Sequence, residues 1–156
     1  RDLIDQALDV ARQTDIGFHL LDRIYGTRIQ LHANDPVAAL HVMEDASESV
    51  RGPLETCPGC RITFAVPAAI AAARAGEIEL AEQHETQCAY LAQVVMRLPA
   101  WYAAHDEVLG HIAAARNGLS HESAIARFAA AAQRFAAAGQ PFDAARCEAL
   151  AGGGSR

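Results

Sequence analysis

The sequence predicts an all-α fold, an α-solenoid of about four antiparallel helical hairpins, and three observations carry that expectation. Hydrophobic residues make up 51% of the chain but aromatic ones only 6%. The core must therefore be built from small aliphatic side chains, alanine above all, which favour helix and let helices approach closely. A heptapeptide also recurs: "IAAARAG" at 70–76 returns as "IAAARNG" at 112–118, identical at six of seven positions, and a looser relative, "IQLHAND", occupies 29–35. The spacings of 41 and 42 residues fall where helical hairpins stack into repeat arrays. Finally, no stretch has the period-two alternation of a strand.

Turn chemistry divides the chain into eight helices, at 2–13, 16–33, 36–50, 58–75, 77–97, 99–117, 119–138 and 141–151. The first is marked by Leu3, Ala7, Leu8 and Ala11 at steps of three and four, one apolar stripe, and ends at "TDIG", 14–17. The second closes at Asn34-Asp35-Pro36, and the third breaks at Gly52-Pro53. Pro58 suits the first turn of the fourth helix, where a missing N–H costs nothing, and Gly76 suits its left-handed C-cap. Pro67, in mid-helix, is expected to kink it. The fifth helix runs to Leu98-Pro99, and Pro99 opens the sixth, which stops at Gly118. Ile125, Phe128, Ala129, Ala132 and Phe135 form the core stripe of the seventh, and Gly139-Gln140-Pro141 starts the last. Residues 1–151 read as one domain and 152–156, "GGGSR" with its preceding glycine, as a flexible tail.

The chain carries 19 acidic and 13 basic residues, a formal charge of −6, which argues against a nucleic-acid surface. All of the basic residues are arginine; that has no evident physical cause. The longest apolar run, "ITFAVPAAIAAA", stops at Arg74 and contains Pro67, too short for a membrane span. A cytoplasmic, reducing setting is expected, because four cysteines without dense spacing do not make a disulfide scaffold. The opening "RDLIDQALDV" is already in helical rhythm and reads as a cut inside a longer protein, and an uncapped solenoid end would favour self-association into homo-oligomers.

The segments "AAIAAARAGEIELAEQH" and "GHIAAARNGLSHESAIARFAAAAQRFAAAGQPFDAARCEALAG" resemble the tetratricopeptide-like (TPR-like) helical-repeat regions of large bacterial LuxR-type, MalT-like ATP-dependent transcriptional regulators. The resemblance is strongest over 57–152. It implies a non-catalytic scaffold or sensor segment that contacts proteins, peptides or other domains of its own chain. The nucleotide-binding and DNA-binding motifs of such regulators are not in these residues. The repeat of about 42 residues is longer than the standard 34 of that family.

The stretch "ETCPGCRITF", 55–64, raises metal and redox chemistry. Cys57 and Cys60 form a C-x2-C pair, and His84 with Cys88 forms an H-x3-C pair, together four ligands of the type zinc prefers. No cofactor is otherwise expected. Helix geometry opposes the set: in an antiparallel hairpin turning at Gly76, Cys88 lies roughly 6 Å and His84 roughly 12 Å along the axis from the level of Cys60. The pair is alternatively a thiol-redox switch, with the Cys57 thiol pKa lowered at a helix N-terminus, although the strand of a thioredoxin-like βαβ unit is missing. The plainest reading is that free cysteines pack as small hydrophobes.

The histidines 19, 32, 41, 84, 105, 111 and 121 are scattered without an H-E-x-x-H or G-x-S-x-G motif, and no enzyme activity is expected. Glu107 and His111 in "HDEVLGH" read as a solvated i,i+4 pair, and Glu82 with Glu85 as an exposed face. Arg97, Trp101 and Tyr102 are the residue types that concentrate binding energy, so they are the expected partner-contact surface.

Overall fold

The computed structural model describes residues 2–14, 18–48 and 57–152. Eight α-helices fill these segments: α1 (Asp2–Gln13), α2 (Phe18–Leu31), α3 (Pro36–Glu48), α4 (Pro58–Ala75), α5 (Ile78–Tyr90), α6 (Pro99–Asn117), α7 (Glu122–Ala137) and α8 (Pro141–Ala151). Among the described residues there is no strand. No helix is long and apolar enough to cross a membrane. The expected "TDIG" break falls mostly on 15–17, and Gly52-Pro53 and the tail 153–156 likewise lie outside the described residues.

The helix ends follow local chemistry. Asp35 caps α3, its Oδ1 accepting the Ala38 N–H at 3.0 Å, with Pro36 behind it in the first turn. Gly76, at φ +84°, ends α4. There the Gly76 N–H donates to Ala73 O and the Glu77 N–H to Ala72 O, the paired bonds of a Schellman close. The His121 ring opens α7 by accepting the Ser123 N–H, so that helix starts later than the sequence predicts. The fifth predicted helix also differs: α5 passes at Leu91–Met96 into a π-helical turn, and the Arg97 N–H bonds back to Ala92 O. Arg97 itself is left-handed, at φ +51°, which ends the helix ahead of Leu98-Pro99.

α4 is the central element, with α2 and α6 along it on either side, α3 over α2 and α4, and α5 over α4 and α6. α1 packs on α2, and α7 bridges α6 and α8. Ile62, Phe64, Ala65, Ala68, Ala69 and Ala72 of α4 are all buried. Alanine dominates because four neighbouring helices leave no room for longer side chains.

Helix α4 continues through Pro67. Proline has no N–H, so the carbonyl of Thr63, one turn back, loses its helical donor. That oxygen is met by α2. A Cβ on Gly26 would overlap the Thr63 carbonyl and stand 3.3 Å from Phe64 Cα. Glycine at 26 lets the two backbones touch and leaves a Cα–H, a weak donor, facing the freed oxygen. A second close approach lies between α6 and α7, where a Cβ on Gly110 would come within 2.7 Å of the Phe128 ring.

Arg61 ties three helices: it donates to Asp22 Oδ1 of α2 at 3.0 Å and to Gln87 Oε1 of α5 at 3.0 Å, with its guanidinium 4.7 Å from the centre of the Phe64 ring. Gly26→Ala is expected to destabilise the protein by about 1 to 3 kcal/mol through overpacking against backbone that cannot move aside. Gly59→Ala, whose Cβ would meet the Met96 side chain at an ordinary 3.6 Å, is expected to be nearly silent; urea denaturation of both variants checks the contrast.

Candidate functional site

The broadest concavity is a cavity of about 830 Å³ walled by α2, α4, α6 and α8. Its apolar floor includes Ile29, Val66, Ile70 and Leu150, and its rim carries Arg74, Asp143 and Arg146. All three copies of the repeated heptapeptide reach it: Ile29 and Ala33 from the first, Ile70 and Arg74 from the second, Ala114 and Ala115 from the third. Each copy ends one of the even-numbered helices.

Below the groove, three consecutive residues of α6 are charged or ionisable and buried: His105, Asp106 and Glu107, at 8, 4 and 3% exposure. Successive helical positions diverge by about 100°, so each faces a different neighbour. His105 pairs with Glu85 of α5 at 2.6 Å. Asp106 receives Arg127 and Arg134 of α7, at 3.1 and 2.8 Å. Glu107 holds Arg146 of α8 in a two-pronged pair, both bonds 2.8 Å. The solvated Glu107–His111 contact expected from sequence is therefore corrected: Glu107 turns to α8, and His111 packs edge-on against Phe128 with ring centres 5.0 Å apart. Glu82 and Glu85 are not a free acidic face either, since Glu82 pairs with Arg116 and Glu85 with His105. Sequence reasoning missed this arrangement because it joins residues 20 to 39 positions apart. The run of three polar residues inside an alanine-rich helix was its one visible trace.

The cysteines separate into two kinds. Cys88 and Cys147 are fully buried, and burial pushes each thiol up to about 12; they pack as small apolar residues. Cys57 and Cys60 sit at the start of α4, where both the Cys60 and Arg61 N–H groups bond to Cys57 O, at 2.9 and 2.8 Å. The Cys57 thiol is held below its ordinary range by donation from the Cys60 N–H and thiol, assisted by the Gly59 N–H and the charge of Arg23. This is the direction expected at a helix N-terminus. Burial and the Cys57 partner raise Cys60.

His84 and Cys88 do not complete a ligand set with this pair. The residue that does is His19, at the start of α2, whose ring nitrogen and the two sulfurs all lie within 4.8 Å of one another. The offset along the antiparallel α4/α5 hairpin separates the predicted ligands, while α2 runs beside α4 and delivers an imidazole. His84 instead stands edge-on to Phe64, ring centres 5.8 Å apart. No sequence spacing links His19 to Cys57, so the pattern could not have named it.

Of the expected partner-contact residues, Arg97 is exposed at the end of the π-helical turn, and Trp101 and Tyr102 are half-buried, with Trp101 packed against the core. The exposed apolar residues Tyr90, Val94 and Leu98 precede them. Comparison of the chain with protein-family models, curated proteins and solved structures returns no match.

Two outcomes follow. Burial holds His84 and His111 down to about 4, with nearby arginines adding to the effect. The unfolded chain takes up these protons near 6.5, the folded protein only near 4. Stability is thus full above about pH 6.5 and falls as the pH drops toward 4, by up to about 1.4 kcal/mol per pH unit for each histidine. Urea midpoints between pH 7 and 4 should show this slope, and His84→Gln with His111→Gln should flatten it. Separately, Arg146→Ala strands the buried Glu107 carboxylate and is expected to cost about 3 kcal/mol or more, whereas Glu107→Leu with Arg146→Leu should restore most of the loss; thermal and urea unfolding measure both.

Proposed function

We propose that this chain is a non-catalytic, TPR-like helical-repeat segment, a scaffold or sensor of a cytoplasmic bacterial regulator, that receives a polypeptide in its groove. The occupant is a peptide, a partner protein or a neighbouring domain of the same chain. One observation carries the reading: three copies of one heptapeptide, 41 and 42 residues apart, line a single cavity from successive even-numbered helices. A repeated unit that places equivalent residues along one concave wall is how stacked helical hairpins build an extended binding surface. An apolar floor with a rim of both charges suits an amphipathic segment better than a small polar substrate. The ionisable groups at the rim support a binding role over a catalytic one, because Glu107 and Asp143 are both engaged by Arg146.

The test places a photo-crosslinking residue at Ala115, exposed on the groove wall, and at Gln133, exposed on α7 and not part of the groove lining. Polypeptide adducts in cells are expected from Ala115 and not from Gln133. Ala115→Arg should abolish binding of the captured polypeptide, measured by calorimetry, with an unchanged melting temperature. Adducts from Gln133 alone, or binding indifferent to Ala115→Arg, would overturn the proposal.

A further inference from the structure

We infer that His19, Cys57 and Cys60 form a binding site for one thiolate-preferring divalent cation, zinc by its chemistry, which clips the start of α2 to the start of α4. The inference stands independently of what the groove binds. In a tetrahedral zinc centre, metal–sulfur bonds of about 2.3 Å and metal–nitrogen bonds of about 2.0 Å place the ligand atoms roughly 3.5 to 3.8 Å apart. The three donor atoms here already lie within 4.8 Å of one another, so rotations of side chains close the remaining gap without moving either helix.

The local fold prepares the pair. Cys57 is the residue before α4, in extended backbone at φ −84° and ψ 123°, and Cys60 lies within the first turn. The turn between them is closed by the Cys60 and Arg61 N–H bonds to Cys57 O, and Pro58 and Gly59 add no bulky side chain over the sulfurs. This is the C-x2-C spacing by which two thiolates reach one metal. Two soft sulfurs and an imidazole, with no carboxylate in the group, disfavour magnesium and calcium, which seek oxygen, and favour zinc. Arg23, one turn beyond His19 on the same helix, lies close enough to Cys60 to hydrogen-bond its sulfur, the type of outer contact that orients a thiolate ligand.

The binding step balances simply. Each thiol releases its proton to solvent, each thiolate donates a lone pair to the metal, and the neutral imidazole donates a third. The metal and two thiolates together are neutral, and no electron is transferred. Three protein ligands leave a fourth position for water or for a donor brought by a partner. Metal binding would join two helices that both wall the groove, and so couple the site to the shape of that surface.

The test uses the reduced, chelator-treated chain titrated with cobalt(II), whose sulfur-to-metal charge-transfer and tetrahedral d–d absorptions report the donor set directly. One cobalt per chain is expected, displaced by zinc, with a raised melting temperature in the loaded protein. Cys57→Ser and Cys60→Ser should remove the charge-transfer band, and His19→Ala should weaken cobalt affinity at least tenfold. His19 is exposed, so its replacement leaves the fold intact, as circular dichroism would verify. His84→Ala should leave the spectrum unchanged. Absence of the thiolate band in the reduced protein would overturn the site, including the case in which Cys57 and Cys60 merely form a disulfide under oxidant. A band insensitive to His19→Ala but lost in His84→Ala would overturn it too.

Discussion

The contact between α2 and α4 governs what this protein presents to its surroundings. Glycine at 26 lets the α2 backbone rest on the Thr63 carbonyl that Pro67 leaves without its helical donor, so two sequence features that each weaken an isolated helix become complementary when packed. The same contact sets the spacing of the groove walls, since both helices line it. It also brings His19 beside Cys57 and Cys60. A larger residue at 26 would push the helices apart and alter both places at once.

A second constraint organises the C-terminal half. Alanine-rich helices slide easily against one another, because small side chains make shallow ridges and many registers bury similar area. His105, Asp106 and Glu107 remove that freedom. Each has a partner on a different helix, and a shift of one turn would leave a buried charge without its counter-ion, a penalty of several kcal/mol. Buried ion pairs contribute little net stability against hydrophobic replacements, so their value here is register. Arg61 does the same for α2, α4 and α5, reaching Asp22 and Gln87 together.

Much of the architecture was legible in the chain. Helix boundaries followed from Pro36, Pro58, Pro99 and Pro141 at first turns and from Gly76, Gly118 and Gly139 at ends, because these residues act through their own backbone geometry. The exceptions are informative. The π-helical turn at Leu91–Met96 has no local signature, since an extra residue per turn is a response to packing. The polar residues of α6 looked solvated because periodicity cannot distinguish a helix with one buried face from one enclosed on three sides. The candidate metal ligands were half legible: C-x2-C is a local spacing, but its third donor is 38 residues upstream of Cys57, and the nearer H-x3-C pair was a coincidence of spacing.

By itself, then, the sequence determined the class, the number and the ends of the helices, and the repeated heptapeptide, since propensity, capping and periodicity act over a few residues. Tertiary structure alone decided which helices lie side by side, which charges are enclosed, and which imidazole meets the two thiols. Those outcomes depend on burial and on pairing at long range. A residue carries no information about its distant neighbours until the backbone has packed.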